Sequence, residues 1–255
     1  MTARYDCHHS QQVETATCVG ILLVWDPQTG TTFDPFKIYS NEEIYIGRDR
    51  KHCQYVVEDP VISNRHIRIY TIIYDQENLQ EIAPLVYAQD ISRNGTCWNG
   101  CRIVRGKGGV LLSRGDILQL SPSFYLQFQC NTSETIRPFD ILQKREMQLF
   151  EDQYIITGRK LGSGAYGQVH MAIDRKKKQQ LACKVVDIRL IKRKLLFSRP
   201  TESDHAQYVQ KKLEAYYQEA EILRRIRHPN IIGLENVIKT PNTMLVVVSH
   251  SGEIC

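Results

Sequence analysis

Nowhere in these 255 residues is there an apolar run long enough to cross a bilayer. The longest, CVGILLVW at 18–25, falls far below the about 20 residues a helical span needs. The N-terminus MTARYDCHHSQQ has no apolar secretory core, and no internal repeat or low-complexity tract interrupts the chain. Eight cysteines, at 7, 18, 53, 97, 101, 130, 183 and 255, form no CxxC pair and no cysteine–histidine grouping suited to zinc. Reduced thiols and a nuclear or cytoplasmic location are therefore expected, and the sequons at Asn94 and Asn131 are read as incidental. The formal net charge is only +5. A charge this mild does not by itself indicate nucleic-acid binding, and neither direct nucleic-acid nor membrane partners are expected.

What is present is ordinary globular composition, with an apolar share of 42%, in a chain long enough for two modest domains. From 18 to 130 the sequence is a series of short β-rich runs separated by turn residues: GILLVW, EEIYIG, HIRIYTIIY, LVYAQDI, GVLL, DILQL and FYLQFQ. This is the grammar of an all-β sandwich. After a linker placed at 131–152 the pattern changes. YIITGRKLG, QVHMAIDR and QLACKVVDI predict three strands, 206–226 repeats apolar residues at helical spacing, and two strands flank the turn KTPNT.

Three separated pieces of the β half carry phosphate-binding chemistry: Gly47-Arg48, the run Ser63-Asn64-Arg65-His66, and Asp90-Ile91-Ser92-Arg93-Asn94-Gly95-Thr96. Each alone is consistent with turn chemistry. Together, in this order and followed by Trp98-Asn99-Gly100, they resemble the forkhead-associated (FHA) domain, a β-sandwich that binds phosphothreonine peptides on loops at one end. A phosphothreonine needs a cation and neutral donors on fixed loops. The resemblance implies that Arg48 supplies the charge and Ser63 and Asn64 the donors, while Asn94 holds the peptide backbone. Gly47, Gly95 and His66 are structural on this reading. Arg93 reads equally as a phosphate contact or a solvated turn cation. Val61, two positions before Ser63, is expected to favour an aliphatic over an acidic residue at the third position after the phosphothreonine.

In the second half, Leu161-Gly162-Ser163-Gly164-Ala165-Tyr166-Gly167-Gln168-Val169 matches GxGxxGxV, and Leu181-Ala182-Cys183-Lys184 stands where VAIK stands in protein kinases. With EAEILRRIRHPNII at 219–232 resembling helix αC and the strand after it, the stretch resembles the N-lobe of a serine/threonine protein kinase. The resemblance implies ATP binding by the glycine stretch, Val169, Ala182 and Lys184, with Leu161 and Val169 on the adenine side and Lys184 toward the α- and β-phosphates. Glu219 is the expected partner of Lys184, with Glu221 and Glu214 as competing readings. An FHA domain ahead of such a lobe is similar to the DNA-damage checkpoint kinases of the calcium/calmodulin-dependent group.

The expected architecture is thus multidomain: a tail at 1–17, an all-β FHA sandwich at 18–130, a linker, an α+β kinase N-lobe at 153–248 with a five-stranded antiparallel sheet and helix αC, and a non-homologous tail at 249–255. Neither HRD nor DFG occurs in the sequence. A truncated or unspliced product is therefore expected, binding ATP weakly and needing the missing half for Mg²⁺ and catalysis. Expected partners are phosphothreonine-bearing proteins such as checkpoint adaptors, or phosphorylated copies of itself. The alternative is a non-catalytic adaptor that competes with a complete kinase.

Further expectations concern smaller features. The basic first half of 187–217 reads as a mobile loop; Arg175–Lys178 and Lys192–Lys194 read as solvated turns or nuclear-import signals. Ser10-Gln11 is the one Ser/Thr-Gln pair toward the N-terminus. The face of the N-lobe that meets the other kinase lobe is expected to be apolar and uncovered.

Overall fold

A computed structural model describes residues 16–40, 42–73, 83–103, 105, 108–130, 139–164, 167–196, 202–226, 228 and 231–249. Ser10-Gln11, the sequon at Asn131, Ala165, Tyr166 and the tail beyond Ser249 lie outside the described residues.

Eleven strands make the first unit: β1 (Cys18–Trp25), β2 (Thr32–Tyr39), β3 (Glu43–Gly47), β4 (Tyr55–Val56), β5 (Ile67–Ile72), β6 (Leu85–Asp90), β7 (Cys97–Trp98), β8 (Cys101–Arg102), β9 (Val110–Leu111), β10 (Ile117–Ser121) and β11 (Phe124–Cys130). They form two sheets, ordered β2-β1-β11-β10-β7-β8 and β4-β3-β5-β6-β9. The inner faces share a core that includes Leu22, Ile38, Ile44, Ile46, Ile67, Ile69, Leu118, Leu126 and Phe128. Strand alternation produces this core: Ile44 and Ile46 point inward while Glu43 and Tyr45 do not. β2 is absent from the sequence reading because TFDPFKIY carries a proline and is mostly exposed. Its place at the sheet edge resolves the conflict, since an edge strand can spare one N–H.

The second unit begins earlier than expected. α1 (Ile141–Gln148) lies inside the stretch read as linker. It opens with a reciprocal capping box between Asp140 and Gln143, and its Met147 joins the core of Ala172, Leu181, Cys183, Val185, Leu245 and Val247. The sheet that follows comprises β12 (Tyr154–Gly164), β13 (Gly167–Asp174), β14 (Gln179–Asp187), β15 (Leu234–Lys239) and β16 (Thr243–Ser249), in the order β12-β13-β14-β16-β15. All pairings in it are antiparallel.

Between β14 and β15 the basic stretch forms helix α2 (Ile188–Leu196), not the loop expected from its charge. Its Ile188 and Ile191 are buried with Leu213, Met244 and Val246, so a two-residue apolar stripe outweighs the lysines and arginines on the other face. α3 (Glu202–Arg225) covers the helix predicted over 206–226 and starts one turn sooner.

The apolar side of the second sheet is not left open. Leu161, Met171 and Ala182, flanked by Val169, Ile173 and Val248, share one cluster with Tyr70, Leu85, Tyr87, Leu111 and Ile72 of the first unit. The expectation of an uncovered N-lobe face is corrected for these sheet residues, while Ile222, Ile231 and Ile232 stay exposed. Sequence alone could not reveal that the apolar outer face of β5 and β6 would be the sheet's partner.

Candidate functional site

The first candidate site occupies one end of the sandwich. The end of β3 runs so close to the Ser63–Asn64 backbone that a Cβ on Gly47 would lie 2.2 Å from the Asn64 carbonyl oxygen. Only glycine allows that approach. It is closed by backbone bonds from Arg48 N–H to the Ser63 carbonyl and from Asp49 N–H to the Asn64 carbonyl, both 3.0 Å. The exposed Arg48 side chain is held through Nε by the Ile62 carbonyl, which leaves its terminal nitrogens available as donors.

His66 is fully buried, and its Nδ1 accepts the Ser63 N–H at 3.0 Å. Burial holds His66 below its ordinary pKa, keeping it the neutral acceptor this bond requires. It fixes the loop that carries Ser63. The Ser63 hydroxyl in turn accepts the Arg93 N–H at 3.0 Å, joining this loop to the Asn94 turn. Asn94 donates from Nδ2 to the Val61 carbonyl at 2.6 Å, and its own carbonyl accepts from Arg102 at 2.8 Å. The structure therefore brings together Arg48, Val61, Ser63, Arg93 and Asn94. Asn64 is exposed beside them.

Sequence reasoning did not single out what supports this turn. Asp90 Oδ1 accepts from the Ser92 N–H (3.0 Å) and the Thr96 hydroxyl (3.1 Å), and Ser92 Oγ accepts the Gly95 N–H (2.7 Å). Asp90, Ser92 and Thr96 are all buried, so the polar residues of the motif form a satisfied internal network. Gly95 has φ +90°, a conformation that strains other residues. Arg102 was also missed. With Arg93 and Arg105 it lines an open cavity of ≈ 380 Å³ next to this turn, and its one sequence signal, an arginine after the Asn99-Gly100 turn, is unspecific.

The second candidate site lies on the other sheet. Register sets Val169 opposite Lys184 and Met171 opposite Ala182, which puts the glycine-loop strand next to the lysine strand. α3 docks by Val209, Leu213 and Tyr216, at helical spacing, against Val186, Met244 and Val246. One turn beyond Tyr216, Glu219 comes within 3.7 Å of Lys184 Nζ. Glu221 pairs with Arg224, and Glu214 accepts from Gln210. With side chains 35% and 60% exposed, the Lys184–Glu219 pair contributes little stability. Lys184 Nζ also sits 4.8 Å from the centre of the Tyr216 ring.

The glycine strand, Lys184 and Glu219 fit the phosphate end of a nucleotide. The adenine end does not fit in this arrangement, because Leu161 and Ala182 are only 7% and 9% exposed beneath the first unit. Among the described residues no group of His, Cys, Asp and Glu could hold a metal ion, and no helix is long and apolar enough to cross a membrane. Cys53, Cys97, Cys101 and Cys183 are free thiols.

Comparison with known proteins divides the chain in the same way. The FHA domain family model matches residues 44–121 and the protein kinase domain model matches residues 155–253. The meiosis-specific serine/threonine-protein kinase mek1 of Schizosaccharomyces pombe is 32% identical over 75% of this chain and 36% of its own length. The DNA damage response protein kinase DUN1 of Saccharomyces cerevisiae is 28% identical over 86% of this chain and 45% of its own. The chain thus spans less than half the length of these relatives. Among solved structures, the MEK1 FHA domain in complex with the HOP1 pThr318 peptide is 27% identical, covering 44% of this chain and 97% of that chain with a TM-score of 0.36.

Proposed function

We propose, from a chain that joins an FHA domain to part of a protein kinase domain as FHA-containing checkpoint-type kinases do, that its first unit reads phosphothreonine segments of other proteins or of a second copy. The observation that carries this is the hydrogen-bonded end of the sandwich, where Arg48, Ser63, Arg93 and Asn94 come together on three loops. It offers a fixed cation with neutral donors, the combination that a nearly dianionic phosphate needs. His66, Asp90, Ser92 and Thr96 position those loops without touching the ligand.

Titration of the 255-residue protein with a phosphothreonine peptide library tests the reading. Arg48→Ala should weaken the selected peptide roughly 10- to 100-fold, as expected for losing a charge-assisted bond worth about 1.5–3 kcal/mol. Equal binding by Arg48→Ala, or by the unphosphorylated peptide, would refute it. Val61 is exposed at the rim and carries no charge to pair an acidic residue. An oriented library selecting aspartate at the third position after the phosphothreonine would reject the proposed aliphatic preference.

The second unit is proposed as the nucleotide-binding lobe of a serine/threonine kinase, with Lys184 directed at ATP phosphates and Glu219 orienting it. Residues 1–255 contain neither HRD nor DFG, the motifs that accept the substrate proton and hold Mg²⁺. These residues by themselves therefore act as a binding module on this reading, and phosphoryl transfer requires a catalytic loop from outside them.

A further inference from the structure

The outer face of an FHA sheet has no intrinsic need to be apolar, yet here it is. In β5, Ile67 and Ile69 enter the sandwich core while Tyr70 and Ile72 belong to the opposite cluster; in β6, Val86 and Ala88 enter and Leu85 and Tyr87 do not. Tyr70 and Tyr87 are register partners and stack at 5.4 Å. Such a patch on a free sandwich would face water. Instead Tyr87 is 2% exposed and Leu111 is fully buried, and the side chains that cover them are Leu161, Met171 and Ala182, with Val169 and Val248 at the margin.

The contact is also directional. Gln180 Oε1 accepts the Leu111 N–H at 2.7 Å, and its Nε2 donates to the Leu111 carbonyl at 2.8 Å. One buried amide thereby satisfies both backbone groups of an FHA residue, as a neighbouring strand would. Arg159, itself buried, donates to the Leu112 carbonyl at 2.7 Å. Apolar burial would tolerate sliding; these bonds set one register.

We infer that the outer face of β5, β6 and β9 is a docking surface for the nucleotide-facing side of the kinase lobe, so that FHA docking and adenine-nucleotide binding exclude each other in this chain. The inference rests on the reading of Leu161 and Val169 as the adenine side of an ATP site that includes Ala182. An adenine ring cannot lie against side chains already packed on Tyr87 and Leu85. The phosphopeptide loops remain free, because they lie at the His66 end of β5 while the contact lies at its Tyr70–Ile72 end.

Amide exchange and nucleotide binding on the 255-residue protein separate docking from exclusion. Gln180→Ala removes the bonds to Leu111, and Tyr87→Asp places a charge in the contact. Each should deprotect residues 85–87 and 110–112 and raise affinity for ATP by about tenfold or more, the gain expected when a competing state populated about ten to one is released. Phosphopeptide affinity, unchanged in both variants, verifies that the sandwich is folded. Undiminished protection in both variants would overturn docking. Deprotection with ATP affinity unchanged, or with ATP still unbound, would overturn exclusion and point back to the adenine reading, while leaving the phosphothreonine reading untouched.

Discussion

At the scale of single residues, two side-chain environments make specific demands. Gly47 lies where a Cβ would overlap the Asn64 carbonyl, so Gly47→Ala must push the Ser63 loop away from β3. A loss of about 1–3 kcal/mol is expected from overpacking of this kind, read as a lower denaturant midpoint, together with weakened phosphopeptide binding. Unchanged values for both would show that the loop is not held as described. His170 is 1% exposed, and burial lowers its pKa to about 4, with Lys160 adding to the effect. Its folded pKa lies below the unfolded value of about 6.5, so the unfolded chain takes up the proton first on acidification. Stability should be fully present above about pH 6.5 and fall toward about pH 4. His66 adds in the same direction. Thermal midpoints across that range, compared with His170→Asn, should show a shallower decline in the variant.

At the scale of elements, charge and sequence position misled the reading of 131–152 and of 187–217, and packing explains both. α1 is tied to the turn between β15 and β16 by Glu146. Burial raises the Glu146 pKa, but hydrogen bonds from Thr240 and Asn242 outweigh it and leave the carboxyl below its ordinary value. Its Oε1 receives the Asn242 N–H at 3.1 Å and Nδ2 at 2.9 Å, and Thr240 donates to Oε2. Glu146→Ala would strand those donors and should cost about 1–3 kcal/mol, seen as loss of exchange protection across 141–148. No loss there would mean that α1 is held by its other contacts, the packing of Met147 and the Arg189–Asp140 pair. Such a tie joins residues nearly a hundred positions apart, and no local pattern announces it. The amphipathic helix over 206–226 was legible because its apolar spacing is local. α2 was not, because Ile188 and Ile191 supply too short a stripe among the lysines and arginines.

At the scale of the whole molecule, the shared cluster of Tyr70, Leu85, Tyr87 and Leu111 with Leu161, Met171 and Ala182 makes the two units thermodynamically dependent. The second unit should unfold at a lower temperature once that contact is broken, since its own sheet then exposes an apolar face. Calorimetry of the 255-residue protein should therefore show closely overlapping transitions, and Gln180→Ala should separate them by lowering the later unit's midpoint. Two transitions already well separated in the unmodified protein, and unmoved by Gln180→Ala, would count against the coupling. Because the units are linked in this way, ligands of one are expected to report on the other through stability even where they share no contact.

Strand alternation, turn residues and the motifs around Arg48, Ser63, Asn94, Gly162 and Lys184 are local, and they determined by themselves that a β-sandwich precedes a kinase-like sheet and helix. The resemblance to the kinase helix motif also named Glu219, ahead of Glu221 and Glu214, as the partner of Lys184, and the two lie 3.7 Å apart. What only the tertiary structure decided depends on residues far apart in the chain. It includes which motif side chains support the loops and which face the solvent, the capture of α1 by Thr240 and Asn242, and the covering of Leu161, Met171 and Ala182 by Tyr87 and its neighbours. The physical reason is that apolar side chains on both faces of β6 reveal that two partners are needed, while the partner on the second face emerges only when the chain is folded.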